Sequence, residues 1–160
     1  MNDLIRDLRK EEYPLLRRFT YESIFQRDEK NRLPFDIVDT PMFRVFYEDF
    51  GQADDCALVA EADGAVVGAV WTRITKGAVK GFGHVDDQTP EFAIAILKPY
   101  RGAGIGKALM RGMLALLKER GYARASLSVQ RDNDAVHLYE KVGFHVLRAT
   151  DEEYIMVCDL

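Results

Sequence analysis

Between residues 91 and 130 the hydropathy pattern changes period twice. "EFAIAIL" (91–97) is an apolar run of strand length, and "GKALMRGMLALLKERGY" (106–122) sets Leu109, Met113, Leu116 and Leu117 on one helical face. "ARASLSV" (123–129) then returns to strand spacing, with Gly121 supplying the helix stop. A parallel pair needs a long crossover between its strands, and the strand–helix–strand order here supplies one. A β–α–β unit therefore sits at the centre of the chain and requires a layered arrangement of helices on a sheet.

The flanking sequence extends that unit. "CALVAEADGAVVGAVWTRI" carries two apolar runs around Asp63-Gly64, a pair suited to a type I′ hairpin turn because both central residues need positive φ. Leu4–Leu8 reads as a short opening strand, and Glu11 to about Phe25 as a helix. "QRDEKNRLPFDIVDTP" reads as a long polar loop, and "MFRVFYEDF" as a second short helix closed by Gly51. After the central unit, "DNDAVHLYEKVGF" reads as a short helix with an Asx cap, and "EYIMVCDL" as a closing strand. At 160 residues, with no repeat or low-complexity linker, residues 1–160 form one expected domain.

Composition narrows the function. The formal net charge of −4 argues against generic nucleic-acid binding, which draws its affinity from a basic face. Cys56 and Cys158 are too few and too far apart for a disulfide framework or a CxxC metal site, so buried free thiols and no metal are expected. No apolar run reaches 18 residues and the N-terminus is charged from the start, so no membrane association and a cytoplasmic location are expected.

The strand-to-helix junction of the central unit reads "KPYRGAGIGKAL". A helix start leaves backbone N–H groups unpaired, and glycines let a chain pass close to an anion, so this loop can hold a phosphate. A Walker A loop, G-x-x-x-x-G-K-S/T, fails twice: Arg101 stands where the first glycine belongs, and Ala108 replaces the hydroxyl residue. A dinucleotide fingerprint fails because Lys107 takes the third glycine's place. R-x-x-G-x-G, on Arg101, Gly104 and Gly106, resembles the pyrophosphate loop of the GNAT superfamily of acyl-CoA N-acyltransferases. "LSVQRDNDAVHLYEKVGF" is similar to that family's N-x-A-x-x-L-Y-x-K-x-G-F, matching Asn133, Ala135, Leu138, Tyr139, Lys141, Gly143 and Phe144. The resemblance covers about Ala57 to Phe144. Residues 1–56 agree only in their order of elements. Such proteins often carry P-x-Y-R-G before the loop, whereas here Pro99 adjoins Tyr100; loop length is unchanged.

The resemblance implies a mixed α/β fold: a central, mostly antiparallel twisted sheet with one splayed parallel pair ("EFAIAIL" and "ASLSV") and flanking helices. It implies acetyl-CoA as co-substrate, with a pantetheine arm pairing to the backbone of Ile94 and Ile96. Amides of Gly102, Ala103, Gly104, Ile105, Gly106 and Lys107 would take the pyrophosphate, with Arg101 adding charge. Asn133 caps its helix and by resemblance also contacts coenzyme A. Tyr139, otherwise a core aromatic, becomes the acid that protonates the departing thiolate. For a base, Glu91 at the start of the strand bordering the acceptor cleft is preferred over His84, Asp86 and Asp87, each of which suits a solvated loop as well. His137 and His145 suit surface or packing roles.

The acceptor is expected to be a small-molecule or peptide amine, faced by the loop from Gln26 to Pro41 and the acidic segment around Asp86; a homodimer is left open. Two further readings stand beside an N-acetyltransferase. One is a non-catalytic acyl-CoA-binding module, against which Tyr139 speaks, and the other a nucleotide-binding enzyme, weakened by the failed motifs.

Overall fold

The computed structural model describes residues 4–160. Its sheet has seven strands: β1 (Leu4–Asp7), β2 (Cys56–Ala62), β3 (Ala65–Arg73), β4 (Glu91–Ile96), β5 (Arg124–Gln130), β6 (His145–Ala149) and β7 (Glu153–Asp159). They lie in the order β1-β2-β3-β4-β5-β7-β6. Every neighbouring pair is antiparallel except β4 and β5. The parallel pair is the one that the central β–α–β pattern requires. Asp63 (φ 52) and Gly64 (φ 78) make the hairpin between β2 and β3 with positive φ at both central positions, as the sequence pair predicts.

Among the described residues there are four α-helices: α1 (Leu15–Ser23), α2 (Pro41–Arg44), α3 (Ile105–Glu119) and α4 (Ala135–Lys141). Helix α3 buries Leu109, Met110, Met113 and Leu117 against Leu58, Val70, Phe92 and Leu127, and α4 adds Tyr139 on the same side. Leu116 is only half-buried, and Met110 takes the core position beside Leu109. On the opposite face α1 packs Leu16 and Phe19 against Val59, Ala69, Trp71 and Ala95. Cys56 and Cys158 are buried free thiols.

Three elements differ from expectation. The first helix does not start at Glu11: residues 10–12 form one 3-10 turn, and α1 begins at Leu15. Tyr13 keeps helical dihedrals (φ −50, ψ −36), but Pro14 has no N–H to carry the hydrogen-bonding from that turn into α1, which accounts for the break. The "MFRVFYEDF" helix lasts only Pro41–Arg44 before loosening into turns that end at Gly51 (φ 116). Strand β6 was not foreseen. All five of its residues are exposed and it pairs only with β7, so it carries no alternation of apolar and polar positions to read.

Candidate active site

The site begins with backbone. Leu97 N–H donates to the Val67 carbonyl at 2.8 Å, which sets the alternation along β4. Residues 91, 93, 95 and 97 turn their backbone groups to β3, so 92, 94 and 96 turn theirs to β5. Yet β4 and β5 are in register only at Glu91↔Ser126, with Ser126 N–H donating to Pro90 at 2.9 Å. Beyond that point the strands diverge. Ile94 is left with both its N–H and its C=O facing an opening. The Ile96 carbonyl faces the same way and accepts from Arg101 Nε at 2.8 Å, so Arg101 is anchored to the strand end beside the glycine loop.

The loop itself reaches α3 through Gly102 (φ 82) and Gly104 (φ 86), the second standing at the N-cap without a side-chain cap. A Cβ on either would meet nothing within 4 Å, so these glycines serve conformation and not space. Arg101, Gly102, Ala103, Gly104 and Lys107 are exposed and Gly106 half-exposed, while Ile105 is buried and fixes the first turn against the core. The amides of the first helical turn therefore point outward with no partner from the preceding loop.

A cavity of about 660 Å³ is lined by Ile94 at the splay together with residues of β5, the β6–β7 turn and the segments after α1 and around α2. Asn133, Tyr139 and Glu91 all line it. Asn133 Oδ1 accepts from Ala135 N–H at 2.9 Å, the expected Asx cap. Tyr139 packs edge-on to Phe144 at 6.3 Å, and its hydroxyl makes no hydrogen bond among the described residues. Burial alone raises its phenol to about 12, so its proton is retained at neutral pH. Glu91 is 6% exposed, and its Oε2 accepts from Gly83 N–H at 2.8 Å. Burial pushes its carboxyl up to about 7; the Gly83 bond opposes that and repulsion from Glu153 adds to it.

The segment that seats Glu91 is "GFG". A Cβ on Gly83 would lie 2.6 Å from the Leu127 carbonyl carbon, and one on Gly81 would run into the Glu91 carboxylate. Ser126 Oγ donates to the Gly83 carbonyl at 2.7 Å. Only glycine lets this loop press onto β5 and close over Glu91. The other base candidates lie elsewhere. Asp86 is ion-paired with Arg124 at 2.8 Å and held down to about 2, principally by that bond. Asp87 is exposed beside His84. Neither these nor His84 lines the cavity. His137 and His145 are exposed.

The loop from Gln26 to Pro41 contributes none of the lining residues, contrary to expectation. Its polar side chains clamp it down instead: Arg27 to Asp132 at the end of β5, Glu29 to Lys98 at the end of β4, and Arg17 to Asp39. The lining comes from just outside it, from Phe25 after α1 and from Phe43 and Phe46. Sequence reasoning missed this aromatic wall, which Phe82 completes, and missed the acidic β6–β7 turn (Asp151, Glu152, Glu153) across from it. Glycines on both sides of Phe82 were the available signal.

A sequence model described as the acetyltransferase (GNAT) family matches residues 5–144. The chain belongs to this family. It is 32% identical to an N-alpha-acetyltransferase of Sulfurisphaera tokodaii over 126 residues, covering 72% of this chain and 75% of the relative. It is 44% identical over 59 residues to the ribosomal protein bS18-alanine N-acetyltransferase of Haemophilus influenzae, covering 37% of this chain and 40% of that one. Mycothiol acetyltransferases are matched over about a third of their length or less, for example 35% of the Saccharomonospora viridis protein. Among solved structures, the PaiA N-acetyltransferase of Thermoplasma acidophilum in complex with coenzyme A has the same fold, with TM-score 0.72, 21% identity and full coverage of both chains. No helix among the described residues is long and apolar enough to cross a membrane.

Proposed function

We propose that this GNAT-family chain is an N-acetyltransferase that moves an acetyl group from acetyl-CoA to a primary amine within one ternary complex. The observation that carries it is the convergence of Ile94, Tyr139 and Glu91 on one cavity beside the glycine loop. Fit to the co-substrate rests on two features. Ile94 offers an unpaired N–H and C=O where β4 leaves β5, which suits an extended amide-bearing arm. The positive-φ glycines at the start of α3 present outward amides with the helix dipole behind them, which suits a pyrophosphate. Acetyl-CoA supplies an acyl group activated as a thioester.

The side chains then divide the proton transfers. Glu91, with its carboxyl near 7, takes the proton of an incoming ammonium, freeing the nitrogen lone pair. That pair forms the C–N bond as the C–S bond breaks and its electrons leave on sulfur, and the second proton shed by the acylated nitrogen ends on that sulfur. Tyr139 then shares its proton with the departing thiolate; at about 12 its phenol is too weak an acid to hand it over completely. Ile94, Glu91 and Tyr139 are thus assigned to orientation, base and acid. Arg101, fixed to the Ile96 carbonyl, adds positive charge at the loop, and Asn133 caps α4 at the cavity wall.

The test is thiol release from acetyl-CoA across a panel of primary amines, with coenzyme A affinity measured by calorimetry. Amine-dependent release with matching N-acetyl product supports the reading. Tight coenzyme A binding without release to any amine would make the chain an acyl-CoA-binding module instead.

A further inference from the structure

The cavity has two unlike walls. On one side Phe82 stands between Phe43 and Phe46, with ring centroids 5.5 and 5.8 Å away, and remains 40% exposed. Phe82 in contact with both neighbouring rings, and with an open face, forms an aromatic platform, not a filled core. The rest of the lining carries carboxylates: Glu91 on β4, and Asp151, Glu152 and Glu153 at the β6–β7 turn. Glu91 Oε1 makes no hydrogen bond to any described residue, although the side chain is almost wholly buried and lines the cavity. No Lys, Arg or His occurs among the described lining residues. Four lining carboxylates, with Arg27 near Glu152 but bonded to Asp132, attract an ammonium and repel any acceptor that carries its own carboxylate or phosphate next to the amine.

Accepting the cavity as an acyl-transfer site, we propose that its acceptor is a small arylalkylamine: a cationic primary amine on an aromatic body, without a carboxylate or phosphate. The ring rests on Phe82 and its neighbours, and the ammonium reaches the carboxylates. The volume of about 660 Å³ is shared with the acyl donor, whose side Ile94, Asn133 and Tyr139 line, and the part left to the acceptor is that of a small molecule. A linear polyamine meets the carboxylates equally well but offers no face to the aromatic platform.

The experiment compares kcat/KM for phenethylamine, phenylalanine, spermidine and a short neutral peptide with a free N-terminus, each at saturating acetyl-CoA. Phenethylamine is expected to lead. Phenylalanine, the same body with one carboxylate added, is expected about 100-fold lower, which is the penalty for a like charge some 6 Å from the acidic group at an effective dielectric near 20. Phe82→Ala is expected to lower phenethylamine kcat/KM about tenfold through KM, with coenzyme A affinity held as the check of folding. Phenylalanine, spermidine or the peptide equalling phenethylamine would overturn the acceptor assignment while leaving N-acetyl transfer intact. Acetyl transfer to none of the four, with coenzyme A still bound, would instead count against the catalytic reading itself.

Discussion

Replacing Glu91 by Gln tests the site through stability as well as rate. The carboxyl is buried and its folded value is about 7 against an ordinary 4.5. A tenfold change in ionisation is worth about 1.4 kcal/mol, so ionised Glu91 destabilises the folded protein by roughly 3 kcal/mol relative to the unfolded chain. The direction follows from proton counting. Between 4.5 and about 7 the folded state holds a proton that the unfolded state has released, so stability falls as pH rises through that window. Below it both states are protonated and nothing is lost. Gln cannot ionise, and its amide oxygen still accepts from Gly83, so the variant escapes the loss. At about 2–4 °C per kcal/mol for a domain this size, Glu91→Gln should melt roughly 6–12 °C above wild type near pH 8, and close to it near pH 4.5.

Thermal melts of both proteins across that range, monitored by circular dichroism, read this directly. The same variant should lose about 10²–10⁴-fold in kcat, and the wild-type rate should rise with pH up to about 7 and then level. Melting curves that stay parallel from pH 4.5 to 8 would mean that Glu91 is already ionised in the folded protein. The burial argument, and the base assigned from it, would then fail together.

Tyr139→Phe keeps the ring against Phe144 and removes only the hydroxyl, so kcat should fall about 10²–10⁴-fold with Tm and acetyl-CoA affinity nearly unchanged, measured in single turnover. Gly104→Asp sets a side chain at φ 86 and a negative charge at the start of α3, so coenzyme A affinity should drop at least tenfold by calorimetry. Gly106→Ala is the contrast: its Cβ would sit 3.6 Å from Leu138, an ordinary contact, and affinity should hold within a few-fold. Trp71 donates from its indole to the Phe46 carbonyl at 2.8 Å, tying the aromatic wall to the core. Trp71→Phe should cost about 1–2 kcal/mol in chemical denaturation and raise acceptor KM.

Much of the fold and cofactor side was legible because it is written locally. The Asp63-Gly64 turn, the periodicity of α3, the glycines before it and the Asn133 cap each act over a few residues, so the chain displays them without any knowledge of its partners. The parallel pair followed from the helix between its strands. The sequence reading of Cys56 and Cys158 as buried thiols agrees with their burial in the fold. The acceptor side was hidden for the opposite reason. Phe25, Phe43, Phe46 and Phe82 come from three separate segments, and the acidic turn follows an edge strand that no burial pattern marks. Glu91 could be proposed from its position at a strand start, but its carboxyl near 7 arises from the Gly81–Gly83 loop closing over it and from Glu153 across the cavity. Desolvation and charge repulsion depend on distances between residues far apart in the chain, and only the tertiary structure sets those distances.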